Sequence, residues 1–389
     1  MVELGRPLEP DARVLAELMS RIAASGRWSN GGPMVSALEE VIARDLHCPE
    51  AVAAASGTAA LTIALLACDL PQDGEVITTP LTFPATIQAI EAAGLTPIFA
   101  GVDPDTLMLD PDAVRNAITP RTVSIVPVHL FGLTASVELE AVAAEAQLPV
   151  IYDAAHAYGL PDVATRGTAS AYSLRPTKLL HTGEGGAVTT DSAELAERVR
   201  RVKNFGLVDG RVRGRGTNGK MSEVNAVVGL AVHAQLEGEI RRRTALREKY
   251  AQIVARTERV SPHLPGRVRA LVFEVVRCDP LDQRQLLADL AAESVIARSF
   301  PSLTEADQHT AGIPLVGASR SELKSIAASV IALPLHGSVT PQDCAAVARA
   351  LRVDTDFESI EHIPADPPDR LDETQHHLNS GEHFPPTYA

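Results

Sequence analysis

The chain has 389 residues, 45% hydrophobic and 22% charged, an ordinary balance for a soluble globular protein and more than one simple core organises. Its formal net charge of -14 argues against nucleic acid as the main partner; no apolar run reaches membrane-spanning length, and the charged N-terminus is no secretory signal, so a cytoplasmic location is expected. The four cysteines, Cys48, Cys68, Cys278 and Cys344, form no C-x-x-C pair, which argues against structural zinc and a disulfide framework.

Residues 34 to 47, "MVSALEEVIARDLH", carry apolar residues at helical spacing. Next, "AVAAASGTAALTIALLAC" runs from a short strand through Ser56-Gly57-Thr58-Ala59 into a helix. Strand and helix then alternate: "EVITTP", "ATIQAIEAAG", "TPIFAGVD", "DPDAVRNAIT", "TVSIVPVHL", "SVELEAVAAEAQ" and "LPVIYDAA". This spacing predicts right-handed βαβ units around a mostly parallel sheet, and the unbroken apolar strands predict that both sheet faces are covered. The alternation stops near residue 200. The charged helical stretch "EGEIRRRTALREKYAQIVARTE" then leads into "VRALVFEVVR", "LDQRQLLADLAAE" and "ASVIALPL". The expected organisation is a large α/β domain over 1–240, a smaller α+β domain over 241–352 and an acidic tail over 353–389. From Asp354 onward nine acids face one arginine, Arg370, and the segment is read as a mobile tail. Its four histidines lack metal-ligand spacing.

In doubly wound sheets ligands sit at the carboxyl ends of the strands, and four signals fall there. The amides of Ser56-Gly57-Thr58-Ala59 make an anion site suited to a phosphate monoester, or else a plain helix N-cap. Asp153 ends a buried apolar strand, where it pairs with a protonated ring nitrogen or is satisfied by backbone amides. His156, three residues on, bonds the same ligand or fills a polar pocket. Lys178, in "SLRPTKLLHTGEGGAVTT", becomes a nucleophile if desolvation or nearby positive charge lowers its pKa. Phe83 either stacks on a flat ring or belongs to the core. Phosphate cradle, ring-facing carboxylate, amine and stacking aromatic together are the parts that pyridoxal 5′-phosphate requires.

With "GRWSNGGPMVSALEE", "SGTAAL", "TTPLTFPATIQAI", "YDAAHAYG", "NFG" and "TNGKMSEVNAVVGL" in this order, the chain resembles the DegT/DnrJ/StrS-type sugar aminotransferases. These are fold type I pyridoxal-phosphate enzymes, and the resemblance covers about residues 5 to 350. It implies an α/β fold, a mostly parallel sheet flanked by helices, with a smaller C-terminal α+β domain. It further implies that Lys178 forms the Schiff base and shuttles the proton, and that Asp153 pairs with the pyridinium nitrogen beside His156. Gly57, Thr58, Ala59 and Ser173 would hold the phosphate, and Phe83 would cover one ring face. Asn218 would reach the phosphate of the neighbouring subunit, making a homodimer with shared sites obligatory. Family members that deoxygenate sugars carry histidine at the lysine position, so Lys178 favours transamination. The amino donor implied is L-glutamate (or glutamine), and the acceptor a nucleotide-linked keto sugar. The closest branch is the one that aminates dTDP-4-keto-6-deoxyglucose.

Three features depart from the family pattern. The segment between Gly159 and Ser173 is short, Arg175-Pro176 stand where His or Tyr followed by Ala or Pro is common, and the acidic tail has no counterpart. The first two border the acceptor pocket and leave open amination of a cyclitol or another secondary-metabolite ketone. A pyridoxal-phosphate-binding regulator without turnover is the third reading. In "DGRVRGRG", Arg211, Arg213 and Arg215 allow a solvated loop, an RNA contact or a contact with a substrate diphosphate, with Lys220 a further substrate candidate.

Overall fold

The computed structural model describes residues 1–299 and 310–354. Helices α1 (Ala12–Ser25) and α2 (Pro33–Asp45) precede the sheet. Then come β1 (Glu50–Ala54), α3 (Gly57–Ala67), β2 (Glu75–Thr78), α4 (Pro84–Ala92), β3 (Thr96–Ala100), α5 (Pro111–Ala117) and β4 (Thr122–Val126). They are followed by α6 (Glu138–Glu145), β5 (Ile151–Asp153), β6 (Ala169–Ser173), β7 (Gly186–Thr190), α7 (Ala193–Lys203), the hairpin β8 (Leu207–Val208) and β9 (Arg211–Val212), α8 (Glu223–His233) and α9 (Leu236–Val254). The C-terminal part holds β10 (Ser261–Pro262), β11 (Glu274–Arg277), α10 (Gln283–Ala292), β12 (Leu315–Val316), α11 (Arg320–Ala328), β13 (Val330–Leu333) and α12 (Pro341–Ala350).

Strands in the order β1-β7-β6-β5 continue through β4-β2-β3-β12, the two groups being joined by parallel bridges Ile125–Val150 and Val128–Asp153. All neighbours are parallel except β7, which runs antiparallel to both β1 and β6. The sheet is therefore mostly parallel, as its apolar strands predict. One face packs on α3, α4 and α7 through Leu61, Leu65, Ile90 and Val199. The other packs on α5 and α6 through Val114, Leu139 and Tyr152. With both faces covered, polar positions along the strands have no solvent side to occupy.

The reversal into β7 brings backbone unusually close to the first βα turn. A Cβ on Gly186 would collide with the Ser56 carbonyl, so only glycine allows β7 to start there.

The C-terminal strands form an antiparallel sheet, β10-β11-β13, packed on α9, α10 and α12. The proposed domain division near residue 240 falls inside α9, and two segments cross it. Val2 packs in the C-terminal core, and β12 joins the large sheet beside β3. The expected acidic tail lies, from residue 355, outside the described residues. Among the described residues no helix is long and apolar enough to cross a membrane, and no group of three or more His, Cys, Asp or Glu is placed to hold a metal ion.

Candidate active site

Asp153 closes β5 and is buried, at 9% exposure. Thr86 of α4 donates to its Oδ2 at 2.7 Å, and the Ala155 N–H donates to Oδ1 at 3.0 Å. Thr82 and Thr86 hydroxyls are themselves 2.6 Å apart, so a buried hydroxyl chain ends on the carboxylate. Burial pushes the Asp153 carboxyl above its usual range, while Thr86, the Ala155 amide and the Lys178 charge pull it back down. The carboxylate is anchored on one side by donors and lacks a full counter-charge, which suits it to a cationic ring nitrogen.

Lys178 is 8% exposed, in the loop between β6 and β7. Its amine is lowered from 10.5 to about 7, by burial first and then by the Arg175 guanidinium, with Asp153 opposing the shift. A lysine in this range is partly uncharged at neutral pH and can act as a nucleophile. His156 is held neutral: burial first, then the charges of Lys178 and Arg175, push it well below 6.5. Its ring meets Phe273 edge-on at 5.5 Å.

Beside these groups the α3 N-terminus opens the sheet edge. Ser56 caps the helix, accepting from the Ala59 N–H at 3.1 Å. The amides of Gly57 and Thr58 then have no intrahelical partner and stay directed at an incoming anion. Both expectations for this motif have a place in it: Ser56 caps the helix through the Ala59 N–H, which is therefore not free for a phosphate, and the Gly57 and Thr58 amides remain available to one. Ser173, at the end of β6, stands over it: a Cβ on Gly57 would lie 2.7 Å from the Ser173 Cβ. The cradle is thus one backbone deep, and it fits a phosphate at the helix terminus.

Phe83 is not core. It is the N-cap of α4, 54% exposed, one turn before Thr86, with the Arg175 guanidinium 5.8 Å from its ring centroid. The structure therefore gathers Lys178, Asp153, His156, Phe83, Ser173 and Gly57–Ala59 at one end of the sheet. Thr86, which sequence reasoning missed, joins them through its bond to Asp153, and Arg175, expected only to border the acceptor pocket, joins them through its charge beside Lys178. Thr86 lies in "TTPLTFPATIQAI", three residues after Phe83, and position alone was its signal.

The remaining candidates lie elsewhere on the chain surface. Asn218 is exposed; its neighbour Gly219 accepts from the Ala55 N–H at 2.8 Å, beside edge strand β1. Arg211 and Arg213 are exposed on the β8–β9 hairpin and its return. Arg215 donates from Nη1 to the Ala93 carbonyl at 3.0 Å, at the far end of α4 from Thr86. The Lys220 ammonium sits 4.2 Å over the Phe205 ring.

This fold and site define an aminotransferase of fold type I. The chain belongs to the DegT/DnrJ/EryC1/StrS aminotransferase family, whose pattern it matches over residues 11–352. It is 33% identical over 327 residues to the dTDP-4-amino-4,6-dideoxy-D-glucose transaminase of Shigella dysenteriae, covering 81% of this chain and 88% of that protein. The crystal structure of DesI, solved in the presence of its TDP-sugar product, superposes with a TM-score of 0.83 at 35% identity, covering 90% of this chain and 92% of that one. DesV of S. venezuelae superposes with a TM-score of 0.80 at 27% identity, covering 92% of this chain and all (100%) of that one.

Proposed function

We propose that this aminotransferase uses pyridoxal 5′-phosphate to move an amino group from L-glutamate to a nucleotide-linked keto sugar, a dTDP-4-keto-6-deoxyhexose, in amino-sugar biosynthesis. The observation that carries the cofactor is the buried pair of Lys178, held near neutrality at about 7, and Asp153, anchored by Thr86. The nucleotide-sugar acceptor is supported by the relatives, a dTDP-sugar transaminase and a protein solved with its TDP-sugar product.

When bound, pyridoxal 5′-phosphate supplies an electron sink for the pair released at the amino-bearing carbon. The residues of the chain do the rest. The Gly57 and Thr58 amides and Ser173 hold the phosphate, and Asp153 keeps a proton on the ring nitrogen by charge. Phe83 covers a ring face, and His156, neutral, offers a hydrogen bond beside it. Lys178 Nζ would hold the cofactor's aldehyde and, once free of it, would take up and return a proton in each half-reaction.

On the same reading the enzyme is a homodimer with shared sites. Asn218, exposed next to edge strand β1, reaches the partner's phosphate. Arg211, Arg213, Arg215 and Lys220 give a locally positive field for the acceptor's diphosphate on a chain of net charge -14, with Arg215 using the guanidinium nitrogens its bond to Ala93 leaves. Running the reaction backwards, with 2-oxoglutarate and a panel of dTDP-amino sugars, free aminocyclitols and simple amines, tests the acceptor class. Conversion of a dTDP-amino sugar supports the proposal; conversion of only the free amines would replace it with the cyclitol reading. No amine transfer from any compound would leave a cofactor-binding regulator.

A further inference from the structure

Glu223 is fully buried, at 0% exposure, and its carboxylate is occupied by backbone amides. Met34 N–H donates to Oε2 at 2.8 Å and Val35 N–H to Oε1 at 3.2 Å, across 189 and 188 residues of sequence. These are the first available donors of α2, whose own N-cap, Gly32, has no side chain and whose first residue, Pro33, has no N–H. The helix is therefore capped from a distant helix, with the carboxylate on its positive end. Gly32 is packed so closely that a Cβ there would fall 2.7 Å from the Glu223 Cδ. From its own backbone Glu223 donates to the Trp28 carbonyl at 3.1 Å. One residue thus pins both ends of the loop 28–32, "WSNGG", in which Asn30 and Gly31 both take left-handed φ of 67°.

The same turn of α8 also holds the lysine loop. Asn225 Nδ2 donates to the Thr182 carbonyl at 2.8 Å, four residues after Lys178, and Ser222 donates to Asn225 Oδ1 at 2.6 Å. Met221 packs against Gly185. Between the 28–32 loop and this turn lies a cavity of about 270 Å³, bordered by Asn30, Gly31, Ser36, Asn204, Lys220 and Met221. Lys203, Arg200 and Lys220 line this cleft and Met221 joins it to the lysine loop, so it offers cationic groups to the diphosphate of a sugar nucleotide.

We infer that Glu223 is a positioning residue for the acceptor: it fixes the 28–32 loop at a set distance from the lysine loop, and that loop forms one wall of the nucleotide-sugar pocket. This rests on the nucleotide-sugar reading above. Glu223→Gln keeps the shape but presents an NH2 group to one of the two α2 amides, so the loop loses one anchor.

Trp28 is the single tryptophan of the chain and is 52% exposed, so its fluorescence reports the loop directly. In the wild-type holoenzyme, dTDP alone is expected to change the Trp28 emission. In Glu223→Gln that response is lost, the acceptor KM rises roughly tenfold, the effect of one charge-assisted hydrogen bond, and the glutamate half-reaction is preserved. Gly32→Ala, which presses on the carboxylate from the loop side, reproduces the split and carries the test should Glu223→Gln not fold. A folded variant with unchanged acceptor KM and unchanged Trp28 response overturns the inference, as does an equal loss in both half-reactions, which would make Glu223 only structural. Wild-type protein that transfers no amino group at all would instead refute the functional reading, a result visible before any variant is made.

Discussion

Thr86 Oγ1 donates to Asp153 Oδ2 at 2.7 Å, linking the first turn of α4 to the end of β5 across 67 residues. The bond fixes which carboxylate oxygen is anchored and helps keep a buried acid ionised. Thr86→Val leaves a buried oxygen without its donor, costs about 1–3 kcal/mol of stability and raises the Asp153 pKa further. Turnover is expected to fall and its acidic limb to move to higher pH, measurable in a pH–rate profile. Asp153→Asn should bind cofactor yet lose orders of magnitude in rate, because an amide holds no proton on the ring nitrogen by charge. An unmoved acidic limb in Thr86→Val would show that the bond does not tune the carboxylate.

Lys178 titrates near 7 in the cofactor-free protein, so capture of pyridoxal phosphate should follow its neutral fraction. The sign is fixed: as pH rises through about 7 more amine is uncharged, and the capture rate climbs to a plateau. Arg175 contributes to the shift, and Arg175→Gln moves the amine back toward its ordinary value. At pH 7 the first unit by which the pKa rises leaves about fivefold less neutral amine and each further unit about tenfold less, and capture slows accordingly. Stopped-flow absorbance against pH checks both curves; coincident curves would remove Arg175 from the account.

Gly57 lies against Ser173 with no room for a methyl group. Gly57→Ala forces the two apart at a cost of roughly 1–3 kcal/mol, which corresponds to about 5- to 150-fold weaker cofactor binding if it falls wholly on the cradle. Titration of the cofactor-free variant with pyridoxal phosphate measures it. Wild-type affinity would mean that the phosphate sits elsewhere.

The large sheet was legible because "EVITTP", "TPIFAGVD" and "TVSIVPVHL" are apolar runs punctuated by turns, and Asp153 stood out as a charge at the end of such a run. Strands β6, "ASAYS", and β7, "GAVTT", were not, since they are short and weakly apolar, and the antiparallel direction of β7 follows from the lysine loop folding back rather than from local pattern. Helix α1 carried a readable signal, an Asp11 cap accepting from Arg13 and Val14, that composition obscured. Thr86 and Glu223 act on groups 67 and 189 residues away, and no periodicity reports such contacts. The sequence alone does not separate core from ring cover for Phe83; its exposure follows from sitting before Pro84 at the helix start.

If the site is shared, Lys178→Ala and Asn218→Ala subunits should complement. A well-exchanged mixed dimer then contains one site with neither lesion, and activity should return to about a quarter of wild type in an equal mixture, by random pairing with half the dimers mixed and one of two sites intact in each. Native mass spectrometry establishes the exchange and the coupled assay the activity. Fully exchanged dimers without recovered activity would place the whole site within one chain.

The central claim is that nitrogen passes from glutamate through Lys178-dependent chemistry to a nucleotide sugar. Supplying ¹⁵N-labelled L-glutamate and dTDP-4-keto-6-deoxyglucose to the holoenzyme, and weighing the products, tests it most directly. The account predicts a dTDP-amino sugar one mass unit heavier than the unlabelled product, with none from Lys178→Ala. A nucleotide sugar that stays a ketone while the label stays in glutamate, or labelled product formed equally by Lys178→Ala, would contradict it.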